Sequence, residues 1–287
     1  MNVDHFFTIG AMHVSQGTPC EDYAWSGHLH SDAVFGVVSD GCSGACANTD
    51  IGARTISFAL TRTIQSRKVP GGEWFRGDFF HELRKNFASL RLTDTENDYL
   101  ATVVGFVATP ETASVFLMGD GAIATRDAEG ICQLIELDWY GNAPYYLEYT
   151  LRSDHRARFL KGLPEPSLQA VQRRTTTFSM NETGLSLLGS ATKWLGFEAL
   201  ETGLVLDFKP QDQGLRVLAV MTDGISHIGA VPAEAAVAQF LAFKNTRGGF
   251  VKRRMRKALT VFSQDGHMPR DDIAVACVWM GDENGIH

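Results

Sequence analysis

Val37-Val38-Ser39-Asp40-Gly41 is an apolar run that ends in aspartate and glycine. With the residues before it, Ala33 to Val38 is continuously apolar, as a strand buried on both faces must be. The pattern returns in Leu117-Met118-Gly119-Asp120-Gly121 and again in Val220-Met221-Thr222-Asp223-Gly224. Near the end of the chain, Arg270-Asp271-Asp272 opens the apolar run Ile273-Ala274-Val275-Ala276. One Asp-Gly pair is ordinary turn chemistry. Three of them, each closing an apolar strand, with an Asp-Asp opening another, place four carboxylate positions at the ends of core strands.

Carboxylates gathered at one end of a sheet repel one another and resist ionisation unless a cation neutralises them. All-oxygen ligation suits Mg²⁺ or Mn²⁺ rather than zinc or copper. A glycine after the aspartate lets the backbone approach closely, which makes its carbonyl available as a further ligand. Two such ions roughly 3.5–4 Å apart can hold a bridging water and lower its pKa, giving a nucleophile for in-line attack on phosphorus.

Further strands are expected at Phe6 to Met12, Tyr23 to Leu29, Ala101 to Ala108, Ala113 to Met118, Ala122 to Arg126, Ile131 to Leu137, Arg216 to Met221 and Ile273 to Met280. The close spacing of those between Ala101 and Leu137 suggests an antiparallel meander. Helices are expected at Asn48 to Ile64, Ala233 to Phe243 and Lys252 to Phe262. Phe75, Phe79, Leu83, Phe87 and Leu90 paint one face of another. The pattern predicts an α+β fold, two packed antiparallel sheets flanked by helices, in one domain over 1–287. Residues 139–183 mix aromatics, basic residues and prolines and read as an insertion or flap over one end of the sheet.

Apolar residues make up 44% and charged residues 21% of the 287, which excludes a disordered chain. No stretch approaches the roughly 18 apolar residues of a membrane span, and the first residues do not read as a secretory signal. A net charge of −7 argues against a nucleic-acid binder. The odd, sparse set Cys20, Cys42, Cys46, Cys132 and Cys277 reads as reduced thiols, hence a cytoplasmic protein. Cys42 and Cys46 stand four apart without the partner pair a zinc site needs. The basic run Lys252 to Lys257 reads as a solvated helix face.

In their order along the chain, these pieces resemble the metal-dependent protein phosphatases of the protein phosphatase 2C type. Cys20-Glu21-Asp22 resembles the family's early Glu-Asp element, and Asp40-Gly41-Cys42-Ser43-Gly44 its Asp-Gly-x-x-Gly element. Tyr99-Leu100-Ala101-Thr102-Val103 is similar to the strand before Gly119-Asp120-Gly121. Thr222-Asp223-Gly224-Ile225 and Arg270-Asp271-Asp272-Ile273 are similar to the closing elements. The resemblance spans about Ile9 to Met280 and implies the same two-sheet fold, with a phosphorylated protein as substrate; composition and charge already argue for neither nucleic acid nor membrane as partner. It also implies roles. Asp40 bridges two Mn²⁺ or Mg²⁺ ions, the Gly41 carbonyl binds one, and Asp223 and Asp271 bind the other. Glu21 and Asp22 hold metal-bound waters, and Asp120 faces a third ion.

The chain departs from many members where they carry an arginine that grips the substrate phosphate; here that position is Gly17. The stretch Gly17-Thr18-Pro19-Cys20-Glu21-Asp22, with His13 upstream, resembles a subgroup with a Gly-x-Pro-Cys-x-Asp opening. His13, Arg54 and the basic residues of the insertion are the candidate replacements for the missing guanidinium. Cys42 stands where some relatives have a histidine, and His227 where some have a second acidic ligand. The acidic set favours hydrolysis of phosphoserine or phosphothreonine in proteins. A non-catalytic partner-binding module and a hydrolase of small phosphate esters are the alternatives on the same fold.

Overall fold

The computed structural model describes residues 1–29, 32–42, 49–67, 73–91, 99–164, 170–181 and 184–281. Two antiparallel sheets form its centre. The larger has seven strands: β1 (Asn2–Thr8), β6 (Gly121–Asp127), β7 (Ile131–Trp139), β8 (Val171–Asn181), β9 (Gly184–Leu195), β11 (Leu215–Met221) and β12 (Ile273–Trp279). They lie in the order β1-β12-β11-β6-β7-β8-β9. The smaller has five: β2 (Tyr23–His28), β3 (Val34–Ser39), β4 (Val103–Ala108), β5 (Ala113–Met118) and β10 (Leu204–Phe208), in the order β10-β5-β4-β3-β2.

Every residue of β3, β4 and β5 is buried, as their unbroken apolar sequences require. One face of this sheet meets the larger sheet. A Cβ placed on Gly36 of β3 would stand 2.4 Å from the Phe106 ring and 2.9 Å from Cβ of Ala276 in β12. The other face lies under a helix, since a Cβ on Gly105 of β4 would meet Leu60 at 2.7 Å. That helix is α2 (Thr49–Ser66), and α3 (Phe79–Leu90) packs beside it. Phe79, Leu83 and Phe87 form the buried stripe of α3. Phe75 precedes the helix and packs edge-on against Phe79, with ring centroids 4.9 Å apart. On the outer face of the larger sheet, α5 (Ala233–Phe240) and α6 (Phe250–Gln264) bury Phe240, Met255, Ala258 and Phe262 in a second cluster. Lys252, Arg253, Arg256 and Lys257 face solvent on α6, in keeping with their reading as a solvated face.

The expected strand from Phe6 to Met12 is formed only over Phe6 to Thr8, the end of a strand that begins at Asn2. β1 ends at Thr8, and α1 (Ala11–Gln16) follows. The chain turns at Gly10 because the N–H groups of Ala11 and Met12 are taken by the carbonyls of Pro269 and Arg270, each at 3.0 Å. Two long strands, β8 and β9, carry no pattern that the sequence reading used. Residues 139–183 begin with 3-10 turns over Tyr140–Asn142 and Leu147–Thr150, continue in α4 (Ser153–Gly162) and end in β8, which pairs with β7. Tyr145, Phe159 and Phe197 pack there as a small aromatic core, with Tyr145 to Phe197 centroids 4.7 Å apart. Ser43, Gly44 and Cys46 lie outside the described residues. No helix among the described residues is long and apolar enough to cross a membrane.

The close approach at Gly36 gives the first prediction. Gly36→Val forces Phe106 and Ala276 apart and costs about 1–3 kcal/mol, the usual range for overpacking. It is read as a fall of several degrees in melting temperature; an unchanged melt would show that the sheets do not meet there.

Candidate metal centre

The sheet registers bring the acidic residues to one end of the sandwich. Tyr23 pairs with Ser39, which sets Asp22, just before β2, beside Asp40, just after β3. Met221 pairs with both Ala122 and Val275, so Asp120, Asp223 and Asp271 emerge on that same edge of the larger sheet. The backbone holds Asp40 in place: its carbonyl accepts the Thr102 N–H at 2.9 Å, and the Gly41 N–H reaches the Glu21 carbonyl at 3.2 Å. Gly224 is explained by contact. A Cβ there would lie 1.8 Å from the Asp272 carbonyl oxygen, so no larger residue fits after Asp223 without moving β12.

Asp272, the second residue of the Asp-Asp pair, is 2% exposed and turns inward. One of its oxygens accepts the Gly10 N–H and the other the Glu21 N–H, both at 2.6 Å. His13 Nδ1 lies 2.9 Å from the same carboxylate, and its Nε2 lies 3.5 Å from Glu21 Oε2. The Glu21 carboxylate therefore turns toward His13. The Thr222 hydroxyl donates to Asp22 at 2.6 Å and accepts the Ala274 N–H at 2.9 Å, which ties Asp22 to the strand ends on either side.

Burial and mutual repulsion set the electrostatics of the cluster. Burial raises Asp40 well above the usual carboxylate range, and Asp22, Asp223, Asp120 and Asp271 each push it further. Burial raises Asp22 too, against the help of the Thr222 hydroxyl. Asp120 is pushed up to about 8 by burial and then by Asp223, and its Oδ1 is a buried atom with no hydrogen-bond partner among the described residues. Asp223 is raised by burial, with His227 opposing. Asp271 alone is lowered, because His227 Nδ1 stands 3.6 Å from its Oδ2, and the same contact raises His227. Carboxylates held this close, with an orphaned oxygen, fit a site for divalent cations. Asp223, His227 and Asp271 together offer ligand atoms within 4.8 Å of one another. His13, Asp271 and Asp272 do so as well, but both Asp272 oxygens are already engaged by backbone N–H groups.

Two neighbours of the site, Asp272 and Trp139, carry no signal of their role in the sequence. Asp272 stood beside a residue read as a ligand, and nothing in the pair tells which carboxylate turns inward. His227 was read as the loss of an acid, and the structure shows it facing Asp271. Trp139 Nε1 donates to the Gly119 carbonyl at 2.7 Å and so holds the turn that carries Asp120; a lone tryptophan gives no such signal. Cys42, half-buried next to Gly41, has a thiol raised by burial, against the Tyr146 hydroxyl. Gly17 ends α1 in the left-handed region, at φ 70°, with nothing within 4 Å of a Cβ built on it. A helix end in this conformation favours glycine over arginine.

The family model of protein phosphatase 2C matches residues 9–262. The chain belongs to the protein phosphatase 2C family. No curated protein sequence matches it. Among solved structures, a bacterial serine phosphatase is 11% identical with a TM-score of 0.57, covering 99% of each chain. The serine/threonine phosphatase Stp1 of Staphylococcus aureus is 10% identical with a TM-score of 0.57, covering 98% of this chain and 96% of that one. The S. agalactiae serine/threonine phosphatase is 14% identical with a TM-score of 0.55, covering 96% and 98%. At these identities the likeness shows the fold.

Two predictions follow from the geometry. Asp272→Ala strands two buried N–H groups and costs about 3 kcal/mol or more, seen as a lowered urea midpoint; a midpoint within error of wild type would remove Asp272 from the framework. The second concerns pH. Asp22, Asp40, Asp120 and Asp223 are raised in the folded chain, so their contribution to stability is present below the unfolded carboxylate value of about 3.9 and is lost as pH rises through their folded values. For Asp120 that loss runs to about pH 8. Under chelator, stability at pH 8 should therefore fall below that at pH 5, and saturating Mn²⁺ should remove most of the difference. An identical pH dependence with and without Mn²⁺ would contradict a cation site.

Proposed function

We propose that this chain is a metal-dependent phosphatase that hydrolyses phosphoserine or phosphothreonine in proteins. The observation that carries the reading is the one-signed pressure on Asp40, which sits among four other carboxylates at the edge of two sheets. Asp40 would lie between two Mn²⁺ or Mg²⁺ ions, with the Gly41 carbonyl on one and Asp223 and Asp271 on the other. Glu21 and Asp22 would orient water at the site, and Asp120 would face a third ion. When bound, the ions supply positive charge for the phosphoryl oxygens and lower the pKa of water.

The chain's own residues do the positioning. Thr222 fixes the Asp22 carboxylate by its hydroxyl. Asp272 holds the backbone of Glu21, and His227 holds Asp271 on its other side. Gly17-Thr18-Pro19-Cys20-Glu21-Asp22 and the buried His13 support membership of the Gly-x-Pro-Cys-x-Asp subgroup. On this reading residues 139–183 are a flap on a single domain spanning 1–287, and the protein acts in the cytoplasm.

The test is turnover of a phosphothreonine peptide and of p-nitrophenyl phosphate with Mn²⁺, for wild type and Asp40→Asn. Wild type should turn over both only with the metal, and Asp40→Asn should lose roughly 10²–10⁴-fold in kcat, the scale of losing one preorganised charged group. Near-normal turnover in the variant would refute the assignment. No turnover in wild type despite bound Mn²⁺ would favour a partner-binding module on the same fold.

A further inference from the structure

A cavity of about 260 Å³ opens beside the acidic cluster, and Asp120, Asp223 and His227 form one of its walls. Glu136, Gln172 and Arg174, from the neighbouring strands β7 and β8, also line it. Arg174 is the one arginine or lysine among the described residues lining it. A phosphate monoester brings up to two negative charges into a space already walled by carboxylates. Divalent ions at the cluster would offset part of that charge, and a fixed cation in the lining would supply the rest.

Arg174 is built as such a cation. It stands directly opposite Glu136 in the β7–β8 register. Its Nε and Nη2 donate to one Glu136 oxygen at 3.0 and 2.7 Å, while the Ser226 hydroxyl lies 3.3 Å from the other. Glu136 thus fixes one edge of the guanidinium, leaving Nη1 without a partner among the described residues. Ser226 belongs to the 3-10 turn that begins at Asp223, so the same carboxylate ties the arginine to the acidic cluster. The Arg174 side chain is 49% exposed, and an ion pair so open to water adds little to the fold. The other candidate cations are placed elsewhere. His13 is 3% exposed and sits between Glu21 and Asp272. Arg54 pairs with Asp50 and lies over the Tyr23 ring. Neither lines the cavity.

We infer that Arg174 binds the substrate phosphate, in place of the arginine that Gly17 does not supply, and that Glu136 presents it. The inference rests on the phosphatase reading and names the group that sets its affinity for phosphate monoesters. A guanidinium that binds the phosphate equally in the ground and transition states acts on KM and leaves kcat alone.

The test compares wild type, Arg174→Ala, Glu136→Gln and, as a control on a cation that does not line the cavity, Arg54→Ala. KM and kcat are measured with Mn²⁺ on p-nitrophenyl phosphate and on a phosphothreonine peptide. Arg174→Ala should raise KM about tenfold or more for both substrates, the loss expected for one charge-assisted pair, with kcat little changed. Glu136→Gln, whose amide oxygen still accepts from the Arg174 guanidinium while the competing negative charge is gone, should leave KM no higher than wild type. An unchanged KM in Arg174→Ala would overturn the inference. A rise with the peptide alone would also overturn it, since Arg174 would then touch the peptide and not the phosphate. Equal damage from Glu136→Gln would reduce the pair to a strand clamp and overturn it as well. If wild type turns over neither substrate, the phosphatase reading fails separately. Fluorescence anisotropy of the labelled phosphopeptide then decides: binding that needs both the phosphate and Arg174 upholds the inference, and anything else overturns it.

Discussion

The Asp272 carboxylate lies inside the molecule and accepts two backbone N–H groups, from Gly10 and Glu21, while His13 stands against it. A buried charge must recover its lost hydration from such donors, and each charge-assisted bond to a carboxylate is worth about 1.5–3 kcal/mol. The donors are 262 and 251 residues away along the chain, so the bond joins the start of the chain to its last strand. The joined segments carry the chemistry. Glu21 leads into Asp22, Asp272 follows Asp271, and the carbonyl of Asp272 sets the space in which Gly224 must be a glycine. A structural carboxylate thereby determines where its functional neighbours stand.

The rest of the site stores the opposite kind of energy. Asp22, Asp40, Asp120 and Asp223 are all held above their ordinary ionisation range by burial and by one another. Packing elsewhere has to bear that cost. The fully buried strands β3, β4 and β5, pressed between the larger sheet on one side and α2 on the other, provide a rigid frame that does so. Repulsion held in place by a stiff scaffold is what makes a site preorganised for cations, because little rearrangement is needed when they bind.

Much of the frame was legible in the sequence because its signals are local. Apolar strands closed by Asp-Gly at Asp40, Asp120 and Asp223 announce both a buried strand and a chain reversal, and antiparallel pairing then carries their ends to one edge. The stripe of α3 and the basic outer face of α6 follow from helical periodicity alone. What escaped depends on distant partners. The turn at Gly10 replaces the expected end of a strand because carbonyls of residues 269 and 270 capture the next N–H groups. β9 is exposed along most of its length, so its sequence has no need of the alternation that marks a half-buried strand. Arg174 looked like one basic residue among several until β8 was placed against β7.

We propose that the aspartates at the sheet edge hold divalent cations around Asp40. Anomalous diffraction at the manganese edge, from crystals of the wild-type protein grown with Mn²⁺, tests it most directly. At least two anomalous peaks should appear, with Asp40 between them and Asp223 and Asp271 beside one. A map with no peak there, or with manganese bound only at other surfaces, would contradict a metal centre at this site.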